Sequence, residues 1–526
     1  MPDANLNALW SRVLGEALIA AGCRHVVASP GSRNCPLLFA CDRLYGERLV
    51  MHTDERGAAF HALGLAKALG EPVAVCVTSG TAAANLLPAV CEADAAGIPL
   101  ILLTADRPAE LQGCGAPQTM HQPGLFGVFA EALELGEASE ATAETMREQV
   151  RVAVSCARRP LHLNLPLRDP LPPLPERGAP APPGPRGSCP ARSDVSAPHG
   201  LIVAGPAESV APALVARLAD ATGFPVLADA CSGLRRPAIP NLVACPDALY
   251  ARPSADPDVI LRIGPPPLTR AGYEWLGRQA CPQIVLGGAR DDDFIHSASE
   301  RIVDPDAAAV ERLIARLGRA DDAWRSQWQN TVPASTGWNA TSATAAVCEA
   351  SGFPLLWLAS SMAVRDANLL LAPRSTAQRV LCNRGLNGID GTIASFCGAS
   401  AALGRGLCLV GDLACLHDLN SLALAARARG AVVVLNNGGG AIFDALPVSQ
   451  VPGYRRLVRT DHERGFAAAA ALFSLPYRRC ADRPTLDEAL REAAGCDGLQ
   501  LIECDLRGTD GIAAHRLALA SVRPRL

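Results

Sequence analysis

The sequence predicts an α/β protein made of three doubly wound, parallel-sheet domains. Three observations carry this expectation. Short apolar runs alternate with helix-length segments through most of the chain, the pattern of parallel strands joined by crossover helices. A proline-crowded stretch separates the first block of alternation from the second, and a stretch rich in Trp, Gln, Ser and Thr near 321–337 separates the second from the third. Several apolar runs end in turns of Gly, Ser, Asn or Asp, the residues found where open α/β sheets bind ligands.

The first block, 1–168, has strand-like runs at 25–28, 73–77, 100–104 and 161–165, with helices expected at 6–21, 36–44, 58–69 and 82–95. Residues 169–199 contain ten prolines, which forbid ladders and helices and predict an extended linker. Alternation resumes in a middle domain, 200–330, with strands at 200–204, 225–228, 259–263 and 283–286 and a helix at 210–221. The last domain, 331–526, has strands at 407–410, 432–435 and 499–504 and a helical stretch at 416–428.

Composition narrows the function. Of 526 residues, 49% are hydrophobic and 19% charged, too apolar for disorder. Lys and Arg total 48 against 52 Asp and Glu, so no basic excess points to nucleic acid. No run is long enough to span a membrane, and the first residues show no signal peptide. The 19 cysteines include no Cys-x-x-Cys pair, which suits reduced thiols in the cytoplasm. The histidines have no metal-binding spacing, and a Gly-x-Ser-x-Gly elbow is absent.

Chemistry concentrates in the turns. Gly411-Asp412 ends one expected strand and Asn436-Asn437-Gly438-Gly439 another, 25 positions later. Asp carboxylate, Asn amide oxygen and a glycine carbonyl are hard donors suited to Mg²⁺ or Mn²⁺; a capped βαβ turn would use the same residues. Ser29-Pro30-Gly31-Ser32-Arg33 opens a helix and can present N–H groups and a guanidinium to an anion. Glu55 stands at the start of a long helix, where the dipole alone favours an acid. Ser79-Gly80 lies in another strand-to-helix turn, whose small residues suit either a ligand or tight packing.

Together with Thr104-Ala105-Asp106-Arg107-Pro108, the Gln118–Gln122-Pro123-Gly124 stretch and Asn383-Arg384-Gly385-Leu386-Asn387-Gly388-Ile389-Asp390-Gly391, these segments resemble the menaquinone-pathway 2-succinyl-5-enolpyruvyl-6-hydroxy-3-cyclohexene-1-carboxylate synthases (the MenD family) among thiamine diphosphate enzymes. The resemblance implies pyrimidine-binding, Rossmann-like middle and diphosphate-binding domains. It implies decarboxylation of 2-oxoglutarate and conjugate addition of the resulting four-carbon unit to isochorismate. Thiamine diphosphate would be activated by Glu55 and contacted by Ser79, Gly80, Ile389 and Gly411. Its metal would be held by Asp412, Asn437 and the Gly439 carbonyl.

Both substrates are dicarboxylates, which call for buried arginines. Carried over by motif, Ser32, Arg33, Arg107, Gln118, Ser361, Arg365 and Arg384 would bind them, with Arg270 contributing from the middle domain. The family's arrangement also implies a homodimer or homotetramer. The chain departs from the family pattern at Pro117, where Asn is usual, and in having a single middle-domain cation at Arg270. Two rivals stay open: another 2-oxo-acid decarboxylase or carboligase on this fold, and a cofactor-binding sensor without activity. A nucleotide at the Val203-Ala204-Gly205-Pro206-Ala207 turn is the weaker expectation, because the full Rossmann glycine set is absent.

Overall fold

The computed structural model describes residues 5–174, 197–235, 238–287, 293–373 and 378–523, so the expected linker lies mostly outside the described residues. The chain forms two compact units, one of Met1–Ala181 and Gly439–Glu463, the other of Pro182–Gly438 and Arg464–Leu526. Among the described residues there are three all-parallel sheets, one in the first unit and two in the second.

In the first unit the strand order is Leu49–Met51, Val26–Ala28, Val73–Val77, Leu100–Asp106, Leu161–Pro166, Glu131–Glu134. The two-residue period sends alternate side chains to opposite faces. Ala74, Cys76, Ile101 and Leu103 join one core with helices Leu6–Ala20, Cys35–Tyr45 and Ala143–Cys156. Val73, Val75, Val77, Leu100 and Leu102 join another with helices Glu55–Leu69 and Leu87–Ala95. The segment Gly439–Glu463 adds Val448, Val451, Tyr454, Leu457 and Val458 to the first core. The helix expected at 82–95 is split into Thr81–Ala84 and Leu87–Ala95, because Pro88 lacks an N–H and crowds the preceding turn.

A polar trio interrupts this apolar interior. Thr104 Oγ1 lies 2.6 Å from His162 Nε2 and donates to Asn164 Oδ1 at 2.9 Å. All three residues are buried.

In the second unit the middle sheet runs Glu300–Ile302, Gln283–Leu286, Val259–Ile263, Gly200–Ala204, Val226–Ala228. Trp324 and Trp328 pack with Trp275 in its core, and Trp324 Nε1 donates to the Gly200 carbonyl at 3.0 Å. Arg262, fully buried on the central strand, pairs with Asp293 at 2.6 Å. Burial raises the Asp293 pKa, but the Arg262 charge and hydrogen bond outweigh it and hold the carboxyl below its ordinary value.

The third sheet runs Arg379–Cys382, Leu355–Leu358, Gly406–Gly411, Gly430–Asn436, Leu499–Asp505, Tyr477–Cys480. Its two central strands pair from Gly406↔Gly430 to Gly411↔Leu435. Gly430 has φ +108°, and a Cβ there would come 2.0 Å from the Gly406 carbonyl oxygen, so only glycine starts the ladder in this register. The helix expected at 416–428 is a short α-helix, Asp412–His417, followed by 3₁₀ turns over Leu419–Arg427. Between them Asp418 turns its carboxylate to the N–H groups of Ile393 and Ala394 at the start of helix Thr392–Leu403. Among the described residues, no helix is long and apolar enough to cross a membrane.

Two outcomes are expected. Asp293→Ala strips Arg262 of its buried carboxylate and lowers stability by about 3–5 kcal/mol in urea unfolding; a loss below about 1 kcal/mol contradicts this account of the pair. Burial lowers the His162 pKa to about 4, beneath its unfolded value. Its neutral form therefore contributes stability that is fully present above about pH 6.5 and is lost as pH falls toward 4. The His162 ring-proton NMR shift should stay constant from pH 8 to 5, and titration within that window contradicts the assignment.

Candidate active site

In the third sheet the first strand in sequence, Leu355–Leu358, lies between Arg379–Cys382 and Gly406–Gly411, so the winding direction reverses at its carboxyl end. Ligands of open α/β sheets bind at such reversals. Ser361 and Asp412 both follow strands that flank this point.

Asp412 is buried directly after Gly411 and opens the helix Asp412–His417. Its Oδ1 accepts from the Leu413 N–H and its Oδ2 from the Gly438 N–H, each at 2.7 Å. The two asparagines have different environments. Asn436 is wholly buried, and its Nδ2 donates to Glu503 Oε1 at 2.7 Å and to the Arg464 carbonyl at 2.9 Å. Asn437 is half-buried, one residue beyond the strand. Gly439 has φ +146°, and a Cβ on it would stand 2.8 Å from the Arg459 carbonyl oxygen. A buried carboxylate fixed by main-chain N–H groups, beside an amide and a glycine turn, is a donor set that fits a hard divalent cation.

Arg365 follows Ser361 by one helical turn. Ser361 has φ +77° and precedes helix Met362–Leu370, and its carbonyl accepts from Arg365 Nη1 at 2.6 Å. Arg384 lies in the loop after strand Arg379–Cys382, with its Nε buried and lacking a hydrogen-bond partner. Burial, then the charge of Arg365, lowers the Arg384 pKa to about 10. Burial also lowers that of Arg365. By surface exposure both side chains are half-buried. Ile389 is half-buried against the third-sheet core. Arg270 is placed differently: it opens helix Arg270–Arg278, its side chain is 78% exposed, and it pairs with Glu274 at 2.6 Å.

In the first unit the winding reverses between Val26–Ala28 and Val73–Val77. Ser32 is half-buried in the loop after the first of these strands. Arg33 is 8% exposed, and its Nη1 donates to the Leu167 carbonyl at 2.8 Å and to Asp169 Oδ2 at 3.2 Å. The turn after the second strand holds Ser79 and Gly80. Arg107 Nη1 donates to Ser79 Oγ, and Ser79 Oγ donates to the Gln118 carbonyl at 3.0 Å. Ser79, Gly80, Arg107 and Gln118 are therefore brought together.

Glu55 begins helix Glu55–Leu69 and is buried. Asp54 is the cap, accepting from the N–H groups of Arg56 and Gly57, so Glu55 is not needed for that task. His52 is exposed, and its Nδ1 accepts from the Asp54 N–H at 3.2 Å.

Sequence reasoning left out the residues that hold these turns. Gln122, fully buried, accepts from the Gly80 N–H at 2.9 Å and donates to Asn164 Oδ1 at 2.9 Å, and Asn164 donates to Asp106 Oδ2 at 2.9 Å. Glu503 receives Asn436, the Phe466 N–H and the Tyr477 hydroxyl. The available signal was a polar residue amid an apolar strand, as in Leu163-Asn164-Leu165 and Ile502-Glu503-Cys504.

Known proteins resemble this chain along its whole length. Residues 10–125 match the thiamine pyrophosphate enzyme N-terminal TPP binding domain, and 364–504 match the C-terminal TPP binding domain. The chain is 36% identical to 2-succinyl-5-enolpyruvyl-6-hydroxy-3-cyclohexene-1-carboxylate synthase of Halobacterium salinarum, over 98% of each protein. It is 36% identical to the Myxococcus xanthus enzyme of that name, over 100% of this chain and 98% of the relative. To the Geobacillus kaustophilus enzyme it is 35% identical, over 98% and 97%. Full-length likeness at this level, on a fold with two matched cofactor-binding domains, means that the chain belongs to the 2-succinyl-5-enolpyruvyl-6-hydroxy-3-cyclohexene-1-carboxylate synthase family of thiamine diphosphate enzymes.

Proposed function

We propose that this chain couples 2-oxoglutarate to isochorismate with loss of CO₂, forming 2-succinyl-5-enolpyruvyl-6-hydroxy-3-cyclohexene-1-carboxylate in menaquinone biosynthesis, and that the residues gathered above divide the work. Thiamine diphosphate, when bound, supplies the carbon nucleophile and electron sink for decarboxylation and carboligation. Asp412, Asn437 and the Gly439 carbonyl hold the divalent ion that anchors its diphosphate. Gly411, Ser79 and Gly80 shape the backbone around the cofactor, and Ile389 packs against it. Glu55 holds or shares a proton at the aminopyrimidine N1′.

The substrates' carboxylates are bound by Ser32, Arg33, Arg107, Gln118, Ser361, Arg365 and Arg384. The observation that carries this proposal is the pair Arg365 and Arg384, two half-buried arginines, the second with a buried Nε–H lacking a partner. Carboxylates are the ligands that relieve such a pair. Arg33 faces a carboxylate, Asp169, that is itself 70% exposed, so exchange for a substrate carboxylate costs little. Arg270 enters the scheme only by the same kind of exchange with Glu274. The enzyme acts in the cytoplasm as a homodimer or homotetramer.

The direct test is carboligation by purified protein with Mg²⁺, thiamine diphosphate and 2-oxoglutarate, with and without isochorismate. Isochorismate-dependent product is expected. CO₂ release without coupling would move the chain to another decarboxylase reaction, and cofactor binding without turnover would make it a sensor. Glu55→Gln should lower kcat by about 10²-fold or more while leaving the fold intact, and near-normal turnover would remove its proton-handling role. Arg107→Ala should raise the KM for isochorismate about tenfold or more with little change in cofactor affinity. An effect confined to the cofactor would contradict that placement.

A further inference from the structure

Helix Met362–Leu370, which carries Arg365, is held from below by a set of buried polar groups that the proposed chemistry does not use. Asn368 lies three residues after Arg365, on the same side of the helix. Its side chain is wholly buried and uses both ends. Oδ1 accepts from the Ala230 N–H at 2.7 Å, and Nδ2 donates to Asp229 Oδ1 at 3.1 Å and to Asp247 Oδ2 at 2.9 Å.

Both carboxylates come from the middle-sheet part of this unit and are buried. Asp229 follows strand Val226–Ala228 and also accepts from the Leu268 N–H at 2.6 Å. Asp247 belongs to helix Pro246–Ala251 and also accepts from the Thr269 hydroxyl at 2.8 Å. Arg235, buried, donates to the carbonyls of Asn368 and Leu371 at the far end of the same helix. On the opposite side Asp366 pairs with His515 Nδ1 at 2.6 Å.

Apolar packing would join these elements at lower desolvation cost. What hydrogen bonds add is direction: they fix the helix in rotation and along its axis, which sliding apolar surfaces do not. Asp247 and Asp366 also offset, by their charge, part of the penalty that burial places on the Arg365 cation.

We propose that Asn368, clamped by Asp229 and Asp247, is a positioning residue for substrate: it fixes the helix so that the Arg365 guanidinium meets a substrate carboxylate in one geometry. The middle-sheet part thereby serves the active site through this helix. This rests on the role proposed above for Arg365.

The test is a double-mutant cycle on the enzyme loaded with Mg²⁺ and thiamine diphosphate, measuring kcat and the KM of each substrate for wild type, Asn368→Ala, Arg365→Ala and the double variant. Asn368→Ala is expected to raise about tenfold the KM of whichever substrate Arg365→Ala affects, with kcat within about threefold. In the Arg365→Ala background the same change should alter that KM less than about twofold, because the group it positions is gone. An equal factor in both backgrounds, or an effect on the other substrate alone, overturns the proposal and leaves Asn368 a general structural residue. If Arg365→Ala changes neither KM, it is the binding role of Arg365 that fails, and the positioning role falls with it. Should Asn368→Ala not fold, Asp247→Asn, close in size and shape, is carried through the same cycle and judged by the same factors.

Discussion

The hydrogen bond from the Gly438 N–H to Asp412 Oδ2 ties the end of one central strand of the third sheet to the turn after its neighbour. It is possible only in the register Gly406↔Gly430 through Gly411↔Leu435, and that register depends on a glycine at 430 whose Cβ would otherwise strike the facing carbonyl. A slip of one residue would reverse the faces of every side chain on the strand and carry Asn437 away from Asp412. Asn436 reinforces the placement from inside by its bond to Glu503 on the next strand. The placement of the proposed metal donors Asp412 and Asn437 is thus a consequence of strand pairing from Gly430 to Leu435, and not of the loop alone.

The first unit solves a similar problem with side chains. The turn holding Ser79 and Gly80 is fixed by Gln122, which reaches Asn164 and through it Asp106. These groups sit within a sheet whose neighbouring positions are almost entirely Val, Leu, Ile, Ala and Cys. In that low-dielectric setting each unmade hydrogen bond is costly, so the network has few alternative arrangements. His162 shows the same pressure: it remains neutral because burial disfavours its cation, while Thr104 gives its Nε2 a partner.

The sequence made most of the central strands legible, those buried on both faces above all. The runs expected at 73–77, 259–263 and 283–286 coincide with Val73–Val77, Val259–Ile263 and Gln283–Leu286, because continuous apolar runs mark central parallel strands. The strands not foreseen are Leu49–Met51, Glu131–Glu134, Glu300–Ile302, Arg379–Cys382 and Tyr477–Cys480, which lie at sheet edges, and Leu355–Leu358, an internal strand buried throughout. Exposed and polar side chains mask the periodicity of the edge strands, and a four-residue apolar run such as Leu355–Leu358 does not by itself distinguish a strand from a piece of buried helix. Asp412, Asn437 and Arg384 were visible because Gly-flanked polar residues after strands stand out. Asn368 was not, since Ala367-Asn368-Leu369 reads as ordinary helix and its partners Asp229 and Asp247 are more than a hundred positions away.

That hidden cluster bears on how the two arginines of the third sheet are kept charged. Arg384 carries the pKa that burial and Arg365 together lower to about 10, which still leaves it protonated near neutrality. Two cations in a partly desolvated site repel; the charges of Asp247 and Asp366 offset part of the penalty at Arg365, whereas burial and the neighbouring Asp247 raise the Asp229 pKa to about 7, so Asp229 supplies only part of a negative charge near neutrality. Those carboxylates are committed to Asn368, Leu268, Thr269 and His515, so they can lower the repulsion but cannot swing forward to neutralise the guanidiniums outright. On the substrate-binding role proposed for Arg365 and Arg384, a dicarboxylate would meet an arrangement that is already partly compensated. Groups held in place in this way would need little rearrangement, which is the condition under which buried charge pairs contribute net affinity rather than merely offsetting their own desolvation.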